Sequence, residues 1–390
     1  MAVKTVTILG ATGSVGTQTI DLLGESPERF RVHALIGGRN AALLAEQARA
    51  LRPALVVIAD EAGLGPLRAT LAGTGLRVEA GRAAVIAAAA EPVDWTMAAI
   101  AGVIGLEPTL AAISHGGAVA FANKEALVSA GDVLLRAVAE HGATLLPVDS
   151  EHNAIFQTLE ERNREQLDSI VLTASGGPFR EASLAEMRDV TPERALKHPV
   201  WSMGAKISID SATLFNKGLE MIEAARLFAL GAGEIEVLVH PQSIVHGMVR
   251  YRDGSVLAQM GAPDMRIPIA HALAWPQRIA AATPRLDLAA IGRLDFFPPD
   301  AERFPALRLA TAALEAGRGA PCVLNAANEV AVAAFLAGRI GFLAIAETVE
   351  RVMARLGAPA TDDLAAVLAL DAEARREAER EIGRIGSRAA

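Results

Sequence analysis

Asp149-Ser150-Glu151 is the place in this 390-residue chain where residue type and spacing first suggest chemistry. The tripeptide follows the apolar run Ala143-Thr144-Leu145-Leu146-Pro147, which reads as a short buried strand. Side chains on an extended segment alternate with period 2, so Asp149 and Glu151 are expected on one side. Two carboxylates held that close repel, and a cation between them removes the repulsion. The pattern predicts a divalent-metal site at a strand exit; taken alone, it is more often a solvated acidic turn.

A second set of polar residues lies at helical spacing. Asn216 and Glu220 are i,i+4, and Lys217 and Glu220 are i,i+3, so the three share one face of a helix that Asp210 or Ser211 can cap. Leu214, Phe215, Leu219, Met221 and Ile222 supply its apolar side. Glu220 offers a third carboxylate, and Asn216 and Lys217 suit an anionic substrate. A solvated Lys–Glu pair is the alternative. Ser175-Gly176-Gly177 follows a strand at Asp168–Thr173 and offers a hydroxyl with exposed N–H groups, a small nest for an anion or a plain loop. His198 and Trp201 fall in the polar, irregular stretch Ser183–Ala205. Long loops with large apolar side chains often serve as lids, although such a loop can also pack on its own domain. Asn123-Lys124-Glu125 closes a strand candidate at Val119–Ala122, where ligands sit in open α/β sheets. Lys124 can meet a substrate hydroxyl or phosphate there, while Asn123 caps a following helix and Glu125 sits in its first turn.

These groups need a scaffold, and the N-terminal pattern provides one. Lys4–Leu9 reads as a strand, Gly10-Ala11-Thr12-Gly13-Ser14-Val15-Gly16 as a turn, and Thr17–Leu23 as a helix. In that context the glycines let the backbone approach a pyrophosphate at a helix N-terminus. The spacing is G-x-x-G-x-x-G, which places the hydroxyls of Thr12 and Ser14 in the turn. The second strand, Arg31–Ile36, ends at Gly37-Gly38-Arg39-Asn40. It carries no acid to hold a ribose 2′-hydroxyl, and Arg39 suits a 2′-phosphate, so NADP is expected over NAD. Strands at Leu55–Ala59 and Val93–Ile100 and a helix at Leu106–Ser114 extend a parallel α/β domain over roughly the first 150 residues. Farther on, Glu236–Arg250 and Ser255–Met260 read as strands joined by the hairpin signal Arg252-Asp253-Gly254, with His240 and His246 as structural histidines. Pro298-Pro299 reads as a linker, and the residues from Ala301 as a small helical domain.

Composition narrows the function classes. The net charge is −8, with 4% aromatic residues and no basic stripe, which disfavours nucleic acid as a partner. Apolar residues reach 52%, yet the longest uncharged runs, such as Thr96–Leu106, are too short to span a membrane. Met1-Ala2-Val3-Lys4 runs directly into a strand pattern, so no signal peptide is expected. The single cysteine, Cys322, excludes an internal disulfide and a cysteine metal cluster, and fits a cytoplasmic location.

GATGSVG, ANKEALV, DSEHNAIFQ, SGGPF, KHPVWSMGAKISIDSATLFNKGLEMIEA, HPQSIVHGMV, GAPDMRIPIAHAL and NAANEVAV run from Gly10 to beyond Glu329. Together they resemble the 1-deoxy-D-xylulose 5-phosphate reductoisomerase family. The glycine motif is shared by many dehydrogenases, whereas DSEHNAIFQ with the KHPVWSMG and NKGLE segments is highly specific. Val15 and Arg39 are conservative variants of the family pattern. The resemblance implies an N-terminal Rossmann-like NADP-binding domain at 1–148, a central α+β catalytic and dimerisation domain at 149–285, a linker at 286–300 and a C-terminal helical domain at 301–390, in a homodimer. It implies that Asp149, Glu151 and Glu220 bind Mg²⁺, Mn²⁺ or Co²⁺. It further implies that Lys124, Ser150, Glu151, Ser175, His198, Trp201, Ser211, Asn216, Lys217 and Glu220 serve the sugar phosphate. Lys124, Asp149, Glu151 and Glu220 are the implied catalytic groups. Thr12, Gly13, Ser14, Val15, Gly38, Arg39, Asn40, Asn123, Glu125 and Gly204 would hold NADPH, and the loop from Ser175 to Gly204 would include a lid. The implied reaction rearranges a ketose phosphate by retro-aldol and aldol steps and reduces the aldehyde to 2-C-methyl-D-erythritol 4-phosphate, in isoprenoid precursor synthesis. Two other readings compete. An NADP-dependent semialdehyde dehydrogenase can share the glycine opening but needs a nucleophilic cysteine, and Cys322 reads as a buried small apolar side chain. A noncatalytic NADP-binding sensor would bind cofactor without metal-dependent turnover.

Overall fold

Short apolar runs with little polarity on either face build a parallel sheet, because both faces will be covered. The computed structural model describes residues 3–201 and 203–389. Its first part runs β1 (Lys4–Leu9), α1 (Ser14–Gly24), β2 (Phe30–Gly37), α2 (Ala41–Leu51), β3 (Leu55–Ile58), α3 (Leu64–Thr70), β4 (Arg77–Ala80), α4 (Arg82–Ala90), β5 (Trp95–Ala98), α5 (Leu106–Ile113), β6 (Ala118–Phe121), α6 (Lys124–His141) and β7 (Thr144–Pro147). The seven strands pair in parallel in the order β4-β3-β2-β1-β5-β6-β7. β3 and β5 are buried at every residue. The order reverses at β1, since β2 to β4 extend to one side and β5 to β7 to the other. That reversal leaves a crevice at the carboxyl ends of β1 and β5, where this sheet type takes its ligands.

α7 (Ser150–Thr158) leads to a smaller mixed sheet. Its strands are β8 (Leu167–Ala174), β9 (Ile235–Val239), β10 (Val245–Tyr251) and β11 (Val256–Met260), in the order β11-β10-β8-β9. Between β8 and β9 lie α8 (Leu184–Arg188), α9 (Pro192–Ala195), α10 (Ala205–Thr213) and α11 (Phe215–Leu227). After β11 come α12 (Arg266–Ala274), α13 (Leu288–Ile291) and the helices α14 (Ala306–Ala316), α15 (Ala320–Leu336), α16 (Ala344–Leu356) and α17 (Leu364–Ala389). The chain forms two compact units. One comprises Met1–Ala126, Leu134–Asn153 and Asp264–Pro284; the other comprises Leu127–Val133, Ala154–Pro263 and Arg285–Ala390. α12 therefore belongs with the first sheet, where Trp95 Nε1 donates to the Ala272 carbonyl at 3.0 Å.

Two local expectations are corrected. The strand expected over Glu236–Arg250 breaks at 240–244, because Pro241 has no N–H for the ladder and Ser243 adopts φ +51. Asp210 and Ser211 do not cap the helix carrying Glu220. They lie inside α10, and the corner between α10 and α11 is Leu214, at φ +62. Among the described residues, no helix is long and apolar enough to cross a membrane.

Candidate active site

The glycine turn comes first in the chain. Gly10 has φ +92, and a Cβ there would lie 2.6 Å from the Ala99 carbonyl oxygen. A Cβ on Gly16 would lie 2.2 Å from the Gly10 carbonyl oxygen, so the turn and α1 can close only with glycine at both positions. Gly13 precedes the first turn of α1, and Thr12, Ser14 and Val15 surround it at the partly open helix start. At the end of β2, Gly38, Arg39 and Asn40 are exposed. The Asn40 side chain caps α2 by accepting from the Leu43 N–H at 3.1 Å. The Arg39 side chain is 91% exposed, and its Nε lies 3.7 Å from Asp60 Oδ2, a loose pair that water screens.

β6 delivers the next group. Asn123 is 1% exposed and caps α6, accepting from the Ala126 N–H at 3.2 Å and donating to the Gly102 carbonyl at 3.0 Å. Glu125 stands in the first turn of that helix. The buried Lys124 ammonium pairs with Asp149. Burial works to raise the Asp149 carboxyl, but Lys124, His152 and hydrogen bonds from Lys124 and Glu151 outweigh it, holding the group below the usual carboxylate range.

The extended Asp-x-Glu arrangement is corrected here. Asp149 is the last residue before α7, and its carbonyl accepts the Asn153 N–H at 2.9 Å. Glu151 is already in the helix. Glu151, in the first turn, meets the positive end of the helix dipole. Ser150 Oγ donates to Glu151 Oε2 at 2.7 Å. Asn153 Nδ2 fixes the corner, bonding the Pro147 carbonyl at 2.9 Å and His271 Nδ1 at 3.1 Å. The sequence reading assigned no role to His152, Asn153 or His271. A histidine and an amide directly after two acids were the available signal for the first two; His271 offered none.

The second unit holds a side-chain cluster. His198 Nδ1 accepts the N–H groups of Val200 at 3.2 Å and Trp201 at 2.8 Å, so the ring proton is on Nε2. That proton points at Ser175 Oγ, 2.9 Å away, which also accepts the Gly177 N–H at 3.2 Å. With two donors already aimed at its oxygen, the Ser175 hydroxyl keeps its own proton to offer an anion. Burial depresses the His198 pKa, which favours the neutral ring. Gly176 and Gly177 both have positive φ, and a Cβ on Gly177 would lie 2.8 Å from the Ser211 carbonyl oxygen, so the serine turn presses on α10. Past the Leu214 corner, Glu220 is 1% exposed, with Asn216 Nδ2 donating to one oxygen and Lys217 Nζ paired to the other. Asp210 braces α10 from behind: it pairs with Lys206 at 2.6 Å and accepts from Asn328 Nδ2 of α15 at 2.8 Å. Gly204 starts α10 with extended geometry. Trp201 is partly buried and tilts against the buried His246 ring, with centroids 6.3 Å apart; its neighbour Ser202 lies outside the described residues.

Comparison with known proteins accounts for nearly the whole chain. Residues 6–131 match the family model for 1-deoxy-D-xylulose 5-phosphate reductoisomerase, residues 145–228 that for its C-terminal domain, and residues 260–377 that for the DXP reductoisomerase C-terminal domain. The 1-deoxy-D-xylulose 5-phosphate reductoisomerase of Gluconobacter oxydans is 61% identical over 97% of this chain and 93% of its own length. That of Rhodospirillum centenum is 58% identical over 96% of this chain and 93% of its own. Among solved structures, the Zymomonas mobilis reductoisomerase in complex with NADPH is 52% identical and superposes with a TM-score of 0.94 over 98% of this chain and 99% of that one. A DOX-P reductoisomerase in complex with NADPH, fosmidomycin and magnesium is 41% identical, with a TM-score of 0.93 over 98% of each chain. The chain belongs to the 1-deoxy-D-xylulose 5-phosphate reductoisomerase family.

Proposed function

We propose that this chain catalyses the NADPH- and divalent-metal-dependent rearrangement and reduction of 1-deoxy-D-xylulose 5-phosphate to 2-C-methyl-D-erythritol 4-phosphate, a step in isoprenoid precursor synthesis. The observation that carries the reading is Asp149 and Glu151 at the start of α7, with the Lys124 ammonium on Asp149. The relatives share this activity by name, and solved neighbours hold NADPH and magnesium. In functional terms we divide the chain as 1–148 for the nucleotide, 149–285 for catalysis and dimerisation, 286–300 as linker and 301–390 as the helical domain.

We assign Asp149, Glu151 and Glu220 to the metal. Three carboxylates suit a hard cation and leave coordination positions for substrate oxygens, and Mn²⁺ or Co²⁺ would serve as Mg²⁺ does. When bound, the cation supplies Lewis-acid polarisation of the substrate's carbonyl and NADPH supplies the hydride. Lys124 supplies positive charge and hydrogen bonds beside the reacting oxygens. Ser175, His198, Ser211, Asn216 and Lys217 hold the phosphate and hydroxyls; His198, as the Nε2–H tautomer, keeps the Ser175 proton turned outward. Ser150 orients Glu151. We assign Trp201 to closing over the substrate, with the backbone tie to His198 linking that movement to the phosphate cluster. Thr12, Gly13, Ser14 and Val15 take the pyrophosphate, Gly38, Arg39 and Asn40 the 2′-phosphate, and Asn123, Glu125 and Gly204 the remainder of NADPH.

A homodimer is supported by apolar side chains left in solvent. β11 is an edge strand with Val256 and Leu257 exposed, and Phe296 and Phe297 are exposed before the helical domain. A cytoplasmic location is in keeping with the single cysteine. The test is NADPH absorbance with 1-deoxy-D-xylulose 5-phosphate, run with Mn²⁺ and then with a chelator. Metal-dependent consumption is expected; no consumption under either condition by folded protein would overturn the reading.

A further inference from the structure

α2 buries Leu44, Ala45, Gln47 and Ala48. Three of these are apolar, and Gln47 stands among them at 6% exposure. A buried amide is costly unless it is hydrogen-bonded. Gln47 Nε2 donates to the Ala11 carbonyl at 2.9 Å, 36 positions back in the chain. Its Oε1 is buried and has no partner among the described residues. The amide is thus kept on an apolar face for a single bond, and that bond falls on the glycine turn.

The bond decides which way one peptide faces. Ala11–Thr12 is trans, so its C=O and N–H point in opposite directions. The N–H groups of Gly10 and Ala11 are already spent on the Ile36 carbonyl, at 2.9 and 2.8 Å. The Thr12 N–H finds no acceptor among the described residues. Ala11 is fully buried, whereas Thr12 is partly open. With the Ala11 carbonyl drawn inward to Gln47, the Thr12 N–H is turned outward, beside the first N–H groups of α1, which a helix leaves free. Donors on that side favour a phosphate; a carbonyl turned there would repel it. We propose that Gln47 is a positioning residue for the cofactor, holding the Ala11–Thr12 peptide with its N–H toward the pyrophosphate. The inference rests on the NADPH reading above and adds a residue that acts on the nucleotide only through the turn.

The test is calorimetric. NADPH and NADH are titrated into wild type and Gln47→Met, which keeps the side-chain length and removes the donor. Both cofactors should bind about tenfold weaker, leaving the preference between them unchanged. The KM for sugar phosphate at saturating NADPH should not move. Unaltered NADPH affinity would overturn the assignment. So would a loss confined to NADPH, because Gln47 would then act through α2 on Arg39 and Asn40 at its start. An equal rise in the sugar-phosphate KM would make Gln47 a brace for the chain at large and would overturn it too. Hydrogen exchange of wild type, read at single residues, decides the matter if the variant does not fold. The Thr12 amide should exchange more slowly with NADPH bound, and an unaltered rate would overturn the assignment. If wild type bound neither cofactor, the dinucleotide reading itself would fall.

Discussion

The glycine turn after β1 and the serine turn after β8 are the two places to which we assign a phosphate, and they are built by different means. The first uses backbone: a helix start and glycines at 10 and 16 that admit no Cβ, with no ionised side chain in the turn. The second uses side chains from distant positions: Ser175 Oγ lies 2.9 Å from His198 Nε2, 23 residues on in the chain. A backbone site is uniform and insensitive to pH. A side-chain site can be tuned by protonation and by loop position.

The largest effect that would test this division is on turnover. Glu220→Gln should lower kcat about a thousandfold if Glu220 is the metal ligand we assign, because such a ligand supports several kcal/mol of Lewis-acid stabilisation. NADPH affinity by calorimetry should stay within about twofold; near-normal kcat would remove Glu220 from the ligand set. The paired glycine variants come next. Gly16→Ala should weaken NADPH about a hundredfold and spare the KM for sugar phosphate, because its Cβ must displace the Gly10 carbonyl. Gly177→Ala should do the reverse, raising the KM about tenfold through strain at φ +66 and pressure on Ser211. If either variant damaged both ligands equally, the two anion sites would not be independent. Arg39→Asp should cost about tenfold for NADPH and nothing for NADH; equal losses for both cofactors would argue against a 2′-phosphate contact.

A pH effect should follow. Burial lowers the His246 pKa to about 4, against hydrogen bonds to the backbone at Gly261 and Ala262 that raise it. The ring stays neutral when folded but charges near pH 6.5 when unfolded, so the unfolded chain takes up the proton first. His246 therefore leaves stability untouched above about pH 6.5. Below that it draws stability down until the pH reaches about 4, by up to about 3 kcal/mol. In denaturant titrations His246→Gln should flatten that slope, and an unchanged slope would place the loss elsewhere. The smallest effect concerns Cys322, whose thiol burial pushes up to about 12. Iodoacetamide at pH 8 should leave activity unchanged. Inactivation would restore a cysteine mechanism.

What could be read in the sequence follows the same division. The glycine turn was legible because strand, turn and helix are adjacent and each glycine has a local reason. The hairpin at Arg252-Asp253-Gly254 was legible likewise, and Gly254 adopts φ +88 there. The Asn216–Lys217–Glu220 face followed from helical spacing alone. The partnership of Ser175 with His198 spans 23 residues of irregular chain, and no periodicity announces it. Asp210 resembles a cap because Asp210 and Ser211 side by side mimic a helix start; only burial against Asn328 shows it as an interior brace. Glu151 was placed on a strand because four apolar residues before an acid do not reveal where the extended chain stops.

The Asp210–Asn328 bond makes the C-terminal helices more than an appendage. α15 carries no residue assigned to any ligand, yet it holds α10 in place, and α10 positions Ser211 and the Leu214 corner that aims α11. On gradual heating, the first sign of damage should therefore be substrate left unsaturating at its usual concentration, while circular dichroism is still unchanged and the nucleotide still binds.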